Sequence, residues 1–184
     1  MILKNKVLHI VSFDVPYPAD YGGVIDVFYK LKGLKEEGLQ VILHCFSKNR
    51  SYAEELTKIC KEVHYYRREM NPYLTLSRKP FIVSSRKQES LLENLLSDQH
   101  PVLFEGLHTT YFLKTIKESG KRCYVRTHNI EHDYYMDLAK AEKSFFKRNY
   151  FKLEGGKLKK YEDVLIAADG LVAISERDEV HFKK

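Results

Sequence analysis

The chain has 184 residues, which at about 150 residues per domain predicts a single domain over residues 1–184. Its composition of 43% hydrophobic and 30% charged residues excludes a disordered protein, and no apolar run approaches the roughly 20 residues of a membrane span. The apolar stretch at 7–11 is too short for a signal peptide, so we expect a cytoplasmic protein. The net charge of +6 favours anionic partners, namely phosphorylated ligands, nucleic acid or an anionic membrane surface.

Short apolar runs alternate with segments of helical periodicity along the whole chain. The apolar runs predict strands at 7–12, 40–46, 63–66, 101–105, 122–126 and 170–174. The periodic segments predict helices at 24–37, 52–62, 86–97, 111–116, from 130 onward, over 144–168, and after 175. Residues 68–85 show no period and are predicted to be an exposed loop. Gly155 and Gly156 predict a break or kink in the long helix, because each glycine costs about 1 kcal/mol relative to alanine.

This alternation predicts an α/β fold. Strands that are apolar on both faces belong to a parallel sheet covered by helices on both sides. We therefore expect a Rossmann-like, doubly wound parallel sheet of about six to seven strands, with strand order 3-2-1-4-5-6. In such a sheet, ligands bind beyond the carboxyl ends of the strands, where the strand order reverses.

The loop after the first strand ends in Gly22-Gly23, which opens the first predicted helix. Glycine at a helix N-terminus lets a phosphate approach the free backbone N–H groups. The alternative is a plain turn in which Gly22 has a positive φ. The loop matches neither G-x-G-x-x-G nor the P-loop pattern, which disfavours a dinucleotide oxidoreductase and a P-loop nucleotidase.

His108 follows the fourth strand and His128 follows the fifth, so the predicted strand order brings both to the same crevice as Gly22-Gly23. There a histidine could donate a hydrogen bond to a developing charge or to a sugar hydroxyl, although each could also be a helix cap or a surface residue. His128 and His132 have the i, i+4 spacing of a zinc pair, but no third ligand is suitably spaced, so no metal is expected. The remaining histidines form no pattern, and we expect them to be structural.

The stretch 145–152 (FFKRNYFK) lies in a segment with seven basic residues and one acid between 143 and 160. It has three interpretations: a solvated helix whose aromatic residues pack on the sheet, an anionic membrane surface contact through Lys147, Arg148 and Lys152, or nucleic-acid binding. Nucleic acid is the least favoured, because no nucleic-acid motif accompanies the charge.

Four segments resemble the N-terminal domain of GT-B-fold glycosyltransferases, most closely the family 4-like domain. They are 16–23 (PYPADYGG), 104–109 (FEGLHT), 126–132 (RTHNIEH) and 168–176 (ADGLVAISE), in the same order and covering essentially the whole chain. The resemblance implies the acceptor-binding half of a two-domain enzyme of polysaccharide biosynthesis. Such an enzyme moves a sugar from a nucleotide-sugar to a sugar or lipid-linked acceptor, with retention and without a metal or other cofactor.

The resemblance also implies roles for single residues. His108 matches a catalytic position on the transferred sugar, Gly22 and Gly23 match the donor-phosphate turn, and His128 matches a second donor or sugar position. The acceptor-binding residues are expected in the same segments: Asp20, Tyr21, Glu105 and Asn129. The family's donor site lies in a C-terminal domain, so this chain alone is expected to be inactive. The alternative is a non-catalytic module of related fold that binds a phospho-sugar or a partner.

Overall fold

A computed structural model describes residues 6–183 of the chain. Six strands form one parallel sheet: Val7–Ser12 (β1), Gln40–Ser47 (β2), Glu62–Arg67 (β3), Val102–Glu105 (β4), Cys123–Thr127 (β5) and Gly170–Ala173 (β6). Their order is β3-β2-β1-β4-β5-β6, and every pairing is parallel. The predicted doubly wound sheet is therefore confirmed, and its order reverses between β1 and β4.

Eight α-helices connect or follow the strands: Gly22–Glu36 (α1), Glu54–Ile59 (α2), Phe81–Ser84 (α3), Glu89–Leu96 (α4), Leu113–Glu118 (α5), Glu131–Ala141 (α6), Phe145–Tyr161 (α7) and Glu176–Phe182 (α8). Three 3-10 helices complete the described residues, at Pro72–Leu76, Leu107–Phe112 and Glu162–Ala167. No helix between residues 6 and 183 is both long and apolar enough to cross a bilayer.

The sheet is buried on both faces, as the two-sided apolar strands predict. Ile10 of β1 packs with Val27 and Leu31 of α1 on one face. The next residue along β1, Val11, points to the other face and packs in a second cluster with Phe104 of β4. Successive strand residues alternate between the faces, so one strand contributes to both halves of the core.

The prediction of an exposed loop over 68–85 is wrong in its second half. The helix α3 lies there, and Ile82 and Val83 are buried in the larger core cluster. A helix of four residues is too short to show a period, which is why the sequence pattern missed it.

The predicted break at Gly155-Gly156 is also wrong, because α7 runs without interruption from Phe145 to Tyr161. Gly155 is buried where α7 crosses α6, and a Cβ atom there would lie 3.3 Å from Met136 Sδ and 3.5 Å from the His132 carbonyl oxygen. This glycine allows close packing of two helices. The end of the predicted 144–168 helix is instead a 3-10 helix that begins at Glu162.

A line of hydrogen-bonded polar side chains crosses the face of the sheet covered by α4. His9 Nε2 lies 2.9 Å from Asp98, His9 Nδ1 lies 2.9 Å from His44 Nε2, and His44 Nδ1 lies 2.9 Å from the Tyr66 hydroxyl. Burial lowers the pKa of both His9 and His44. His9 and His44 have a structural role, because their ring nitrogens find hydrogen-bond partners inside the fold.

Candidate active site

Glu105, the last residue of β4, is fully buried at the carboxyl end of the sheet. Its carboxylate lies 2.5 Å from Lys30 Nζ, 2.9 Å from His128 Nε2 and 3.6 Å from the Arg126 guanidinium. Burial by itself would raise the pKa of Glu105, but the hydrogen bond with His128 and the charge of Lys30 hold it below the ordinary value. Glu105 is thus a buried anion, and His128 is oriented by it.

Asp26 on α1 completes this charged group. Its carboxylate binds the guanidinium of Arg126 through both oxygens and lies 3.4 Å from Lys30 Nζ. Two carboxylates and two permanent cations therefore compensate one another between α1 and the strands β4 and β5. The group ties the first helix to the sheet beside the point where strand order reverses.

His108 and His128 lie on either side of Gly106. Gly106 has a φ of +78°, a conformation that favours glycine. A Cβ atom on Gly106 would lie 2.8 Å from His108 Nδ1 and 3.4 Å from His128 Cδ2. The structure therefore brings together the two histidines that the sequence places after different strands, and a side chain larger than that of glycine at position 106 would collide with His108.

Phe13 fills the space between the histidines and the first helix. Its ring centroid lies 5.7 Å from that of His108 and 5.5 Å from that of His128. A Cβ atom on Gly23 would lie 2.6 Å from Phe13 Cζ, whereas a Cβ on Gly22 would have nothing within 4 Å. Both glycines start α1, and neither has a positive φ, so Gly22 is not the turn residue of the alternative interpretation.

His108 and Glu131 carry the two buried side-chain polar atoms without a partner in the described part of the chain, His108 Nδ1 and Glu131 Oε1. His108 Nε2 lies 3.8 Å from Glu131 Oε1, too far for a hydrogen bond. Burial raises the pKa of Glu131 to about 7, and burial together with the charge of Arg86 holds the pKa of His108 well below its usual range. A neutral imidazole therefore lies beside a carboxyl group that titrates near neutral pH.

Arg86 is a buried cation behind this pair. Its guanidinium donates to the carbonyl oxygen of Phe13 at 2.9 Å and 3.2 Å and to that of Ile82 at 2.5 Å. Among residues 6–183, its hydrogen-bond partners are these carbonyl oxygens and no carboxylate, and burial lowers the pKa of Arg86 to about 9. Arg86 therefore holds Phe13, the residue after β1, in place. The positive charge of Arg86 has no direct ion-pair partner among the described residues.

The residues predicted to bind an acceptor lie in three places. Asp20 and Tyr21 are in the loop before α1, where Asp20 pairs with Arg50 and the Tyr21 hydroxyl donates to Asp14 at 2.9 Å. That loop borders a cavity of about 430 Å³ formed with residues 49–55. Asn129 is exposed next to Glu131, and Glu105 is buried in the charged group.

The residues predicted to meet a membrane lie along α7. Lys147 and Lys152 are exposed and Arg148 is half-buried. Phe145 and Phe146 are 63% and 84% exposed, so the first turn of α7 presents apolar surface to solvent. The later aromatic residues behave differently, since Phe151 is half-buried and its ring centroid lies 5.9 Å from that of Tyr135 on α6.

Sequence reasoning missed Phe13, Arg86 and Glu131 as parts of the site. Glu131 stands within the segment 126–132 and could have been found as an acid close to His128, but its burial has no sequence signal. Arg86 follows α3, a helix that the periodicity did not show. Phe13 follows β1 directly, and only the packing of three loops shows that its ring separates Gly23 from both histidines.

No family model matches the sequence. Among curated proteins, the chain is 33% identical over 155 residues to an uncharacterized 44.6 kDa protein in the cps region of Klebsiella pneumoniae. That match covers 79% of this chain and 39% of the relative, so the chain spans about two fifths of the curated protein that it matches.

Two solved structures share the fold across nearly the whole chain. Arabidopsis thaliana UGT89C1, complexed with UDP-L-rhamnose, aligns with a TM-score of 0.52 and 14% identity over 96% of this chain and 43% of its own. Phytolacca americana UGT2, complexed with UDP-2fluoro-glucose and pterostilbene, aligns with a TM-score of 0.51 and 8% identity over 94% and 47%. The chain therefore shares its Rossmann-like fold with these two structures.

Proposed function

We propose that this chain is the acceptor-side, N-terminal half of a family 4-like glycosyltransferase with two Rossmann-like domains. The enzyme moves a sugar from a nucleotide-sugar to a sugar or lipid-linked acceptor, with retention of configuration. Two observations on similarity support this: the fold is shared with structures that hold UDP-sugars, and the chain spans less than half of each of them. The relative in a cps region supports a role in polysaccharide biosynthesis.

The observation that carries the proposal is the pair of unpartnered polar atoms on His108 and Glu131 at the reversal of strand order. A buried polar atom without a partner costs free energy, so its retention points to a ligand that completes its hydrogen bonds. Sugar hydroxyls both donate and accept, which suits a neutral imidazole and a carboxyl group that titrates near pH 7. We assign sugar contact to His108 and Glu131.

The remaining site residues support this contact. Glu105 is a positioning residue, because it is buried and holds His128 through a hydrogen bond of 2.9 Å. His128 then presents its other ring edge to the sugar or donor phosphate. The donor phosphates are proposed to bind against Gly22 and Gly23 at the first turn of α1. The Phe13 ring, which lies against Gly23, then limits how closely the donor can come to that residue. Asp20, Tyr21 and Asn129 are proposed to contact the acceptor.

The proposed enzyme works at the cytoplasmic face of the membrane when its acceptor is lipid-linked. The donor domain is proposed to lie in the part of the enzyme beyond this chain, and this chain alone is proposed to be inactive. No metal or other cofactor takes part in the proposed transfer.

The test uses the full-length protein and a panel of nucleotide-sugars, with transfer of a labelled sugar as the readout. His108→Ala is expected to lower turnover by roughly 10²-fold or more, the effect of losing one preorganised hydrogen-bond donor at a reacting centre. His100→Ala is the matched control, because His100 precedes β4 and lies at the opposite end of the sheet. Glutamine has the shape of glutamate but no group that titrates, so Glu131→Gln is expected to remove the dependence of turnover on pH near pH 7.

Three results would contradict parts of this proposal. No transfer from any donor by the full-length protein overturns the enzymatic assignment. Binding of a nucleotide-sugar without turnover supports the non-catalytic module instead. Transfer that is unchanged in His108→Ala moves His108 to a structural role.

A further inference from the structure

Two histidines and a glutamate from three separate elements converge outside the candidate active site. His132 is in the first turn of α6, Glu162 begins the 3-10 helix after α7, and His181 is in α8. His132 Nδ1 lies 3.0 Å from Glu162 Oε2, and His181 Nε2 lies 2.5 Å from Glu162 Oε1. The three donor atoms all lie within 4.8 Å of one another, and the two imidazole centroids are 5.5 Å apart.

The surroundings of this cluster favour a cation. Its side chains are 13%, 18% and 24% exposed for His132, Glu162 and His181, so they are shielded but open to solvent on one side. Within residues 6–183, no lysine or arginine nitrogen lies within 4.0 Å of Glu162, whose ion-pair partners there are the two imidazoles. One carboxylate therefore faces two imidazole nitrogens, with no permanent positive charge to compensate it.

A second group with similar donor atoms provides the contrast. Asp26, Glu105 and His128 also have donor atoms within 4.8 Å of one another. There, however, Lys30 lies 2.5 Å from Glu105, and Arg126 binds Asp26 through both terminal nitrogens of its guanidinium group. Two permanent cations already occupy the space around those carboxylates. The charge requirement for a metal ion is met at Glu162 and not at Glu105.

We propose that His132, Glu162 and His181 form a binding site for a divalent transition-metal ion of the zinc class. Two imidazole nitrogens and one carboxylate oxygen are a ligand set that zinc accepts in proteins, with water at the fourth position. Zinc bonds of about 2.0–2.2 Å at tetrahedral angles place ligand atoms roughly 3.4 Å apart, so the present separations need to change by about an ångström. Ion binding displaces the protons that the imidazoles share with Glu162.

The neighbouring contacts give this site a structural role. The other ring nitrogen of His132 lies 3.5 Å from the Asp133 carboxylate, the kind of group that orients metal-bound histidines. Asp133 also pairs with Arg177 of α8 at 2.8 Å, so α6 and α8 are already linked once. A metal ion would add a second link across 49 residues of sequence and fix the first turn of α6, where Glu131 lies.

The experiment uses the full-length protein after removal of metal by a chelator. We expect Co²⁺ to give the visible absorption of a tetrahedral site and Zn²⁺ to raise the thermal midpoint. Three single variants each remove one ligand: His132→Ala, Glu162→Gln and His181→Ala. In a titration followed by this absorption, each is expected to lower the affinity for Co²⁺ by about 100-fold or more, because the loss of a group that only orients a metal ligand already costs 10–100-fold. His64→Ala is the control, because His64 lies 3.4 Å from Glu62 but belongs to no group of three possible ligands within residues 6–183.

Two results would overturn the proposal. One is a wild-type protein that shows no Co²⁺ absorption and no Zn²⁺-dependent change in thermal midpoint. The other is metal binding that is equal in the wild type and in the three ligand variants. His181→Gln serves if the alanine variants fold poorly, because its amide keeps a hydrogen bond to Glu162 but is a weak zinc ligand. A form of the second result is a thermal midpoint that the ligand variants lower by the same amount with and without Zn²⁺, which would identify the cluster as a hydrogen-bonded link only.

Discussion

Phe13 occupies the space that a side chain on Gly23 would need, since a Cβ atom there would lie 2.6 Å from Phe13 Cζ. The same ring contacts His108 and His128, so Gly23 and the two histidines are coupled through one aromatic side chain. A change at the start of α1 is therefore transmitted to the candidate active site by packing, without a direct contact.

The neighbouring glycines make this coupling testable. Gly23→Ala is expected to displace the Phe13 ring and to destabilise the chain by about 1–3 kcal/mol, the usual range for overpacking. Gly22→Ala is the matched control, because a Cβ at Gly22 has nothing within 4 Å. The measurements are urea unfolding and the NMR shifts of the His108 and His128 ring protons. Equal stabilities and unchanged ring shifts in the two variants would contradict the coupling.

A similar pair of glycines tests the packing of α6 on α7. Gly155→Leu is expected to destabilise the chain by about 1–3 kcal/mol, because Met136 and the backbone of His132 lie within 3.5 Å of the new Cβ. Gly156→Leu adds the same side chain at an exposed position with nothing within 4 Å and is expected to stabilise helix α7 by about 1 kcal/mol. Thermal unfolding of the two variants should therefore shift in opposite directions, and a shift in the same direction would contradict this account.

The buried line through His9 and His44 predicts a pH dependence of stability. Their folded pKa values are lowered by burial, so below pH 6.5 the unfolded chain binds protons that the folded chain does not. Stability is then lost as the pH falls below 6.5, by at most about 1.4 kcal/mol per pH unit for each histidine. His44→Gln, which cannot titrate, is expected to reduce this slope in urea unfolding between about pH 5 and 7.

The slope of stability against pH must be compared between the His44→Gln variant and the unmodified protein, because Glu131 changes the stability in the opposite direction. Its folded pKa is raised to about 7, so the folded chain holds a proton that the unfolded chain releases, and stability is lost as the pH rises from 4.5 to 7. His100→Gln is the control for His44→Gln, because His100 neighbours the same line but is partly exposed. An unchanged slope in His44→Gln would show that His44 does not determine it.

The exposed first turn of α7 predicts reversible binding to anionic vesicles at low salt. Basic residues near an anionic surface each contribute about 1 kcal/mol, and Phe145 and Phe146 add apolar contact. Changing Lys147, Arg148 and Lys152 together to Glu is expected to abolish co-sedimentation, and changing both phenylalanines to Ser is expected to weaken it. Neutral vesicles should not bind.

The control for this experiment makes the same change of net charge elsewhere on the surface. The exposed residues Lys48, Lys58 and Lys61 lie near α2 and β3, and their triple change to Glu should leave most of the binding intact. If both triple variants lose binding equally, the effect comes from net charge and α7 is ordinary surface. If neither variant loses binding, the basic residues of α7 are not the source of the binding. If the unmodified protein does not bind vesicles at all, the acceptor is better sought among soluble sugars.

Most of the fold was determined by the sequence pattern. Strand residues apolar on both faces require a covered parallel sheet, and Gly22-Gly23 marks where the first helix begins. The order of the strands was predictable because parallel crossovers in such sheets have few arrangements. The same reasoning brought His108 and His128 to one edge, since carboxyl ends of parallel strands meet there.

Tertiary structure decided what each of those residues contacts. Gly155 reads as a helix breaker in sequence, but its place is set by the approach of α6, which no local pattern contains. Phe13, Arg86 and Glu131 became part of the candidate site because burial removes water from them, and burial depends on contacts between segments far apart in the chain. For the same reason His132, Glu162 and His181, separated by 30 and 19 residues, form a cluster only after folding.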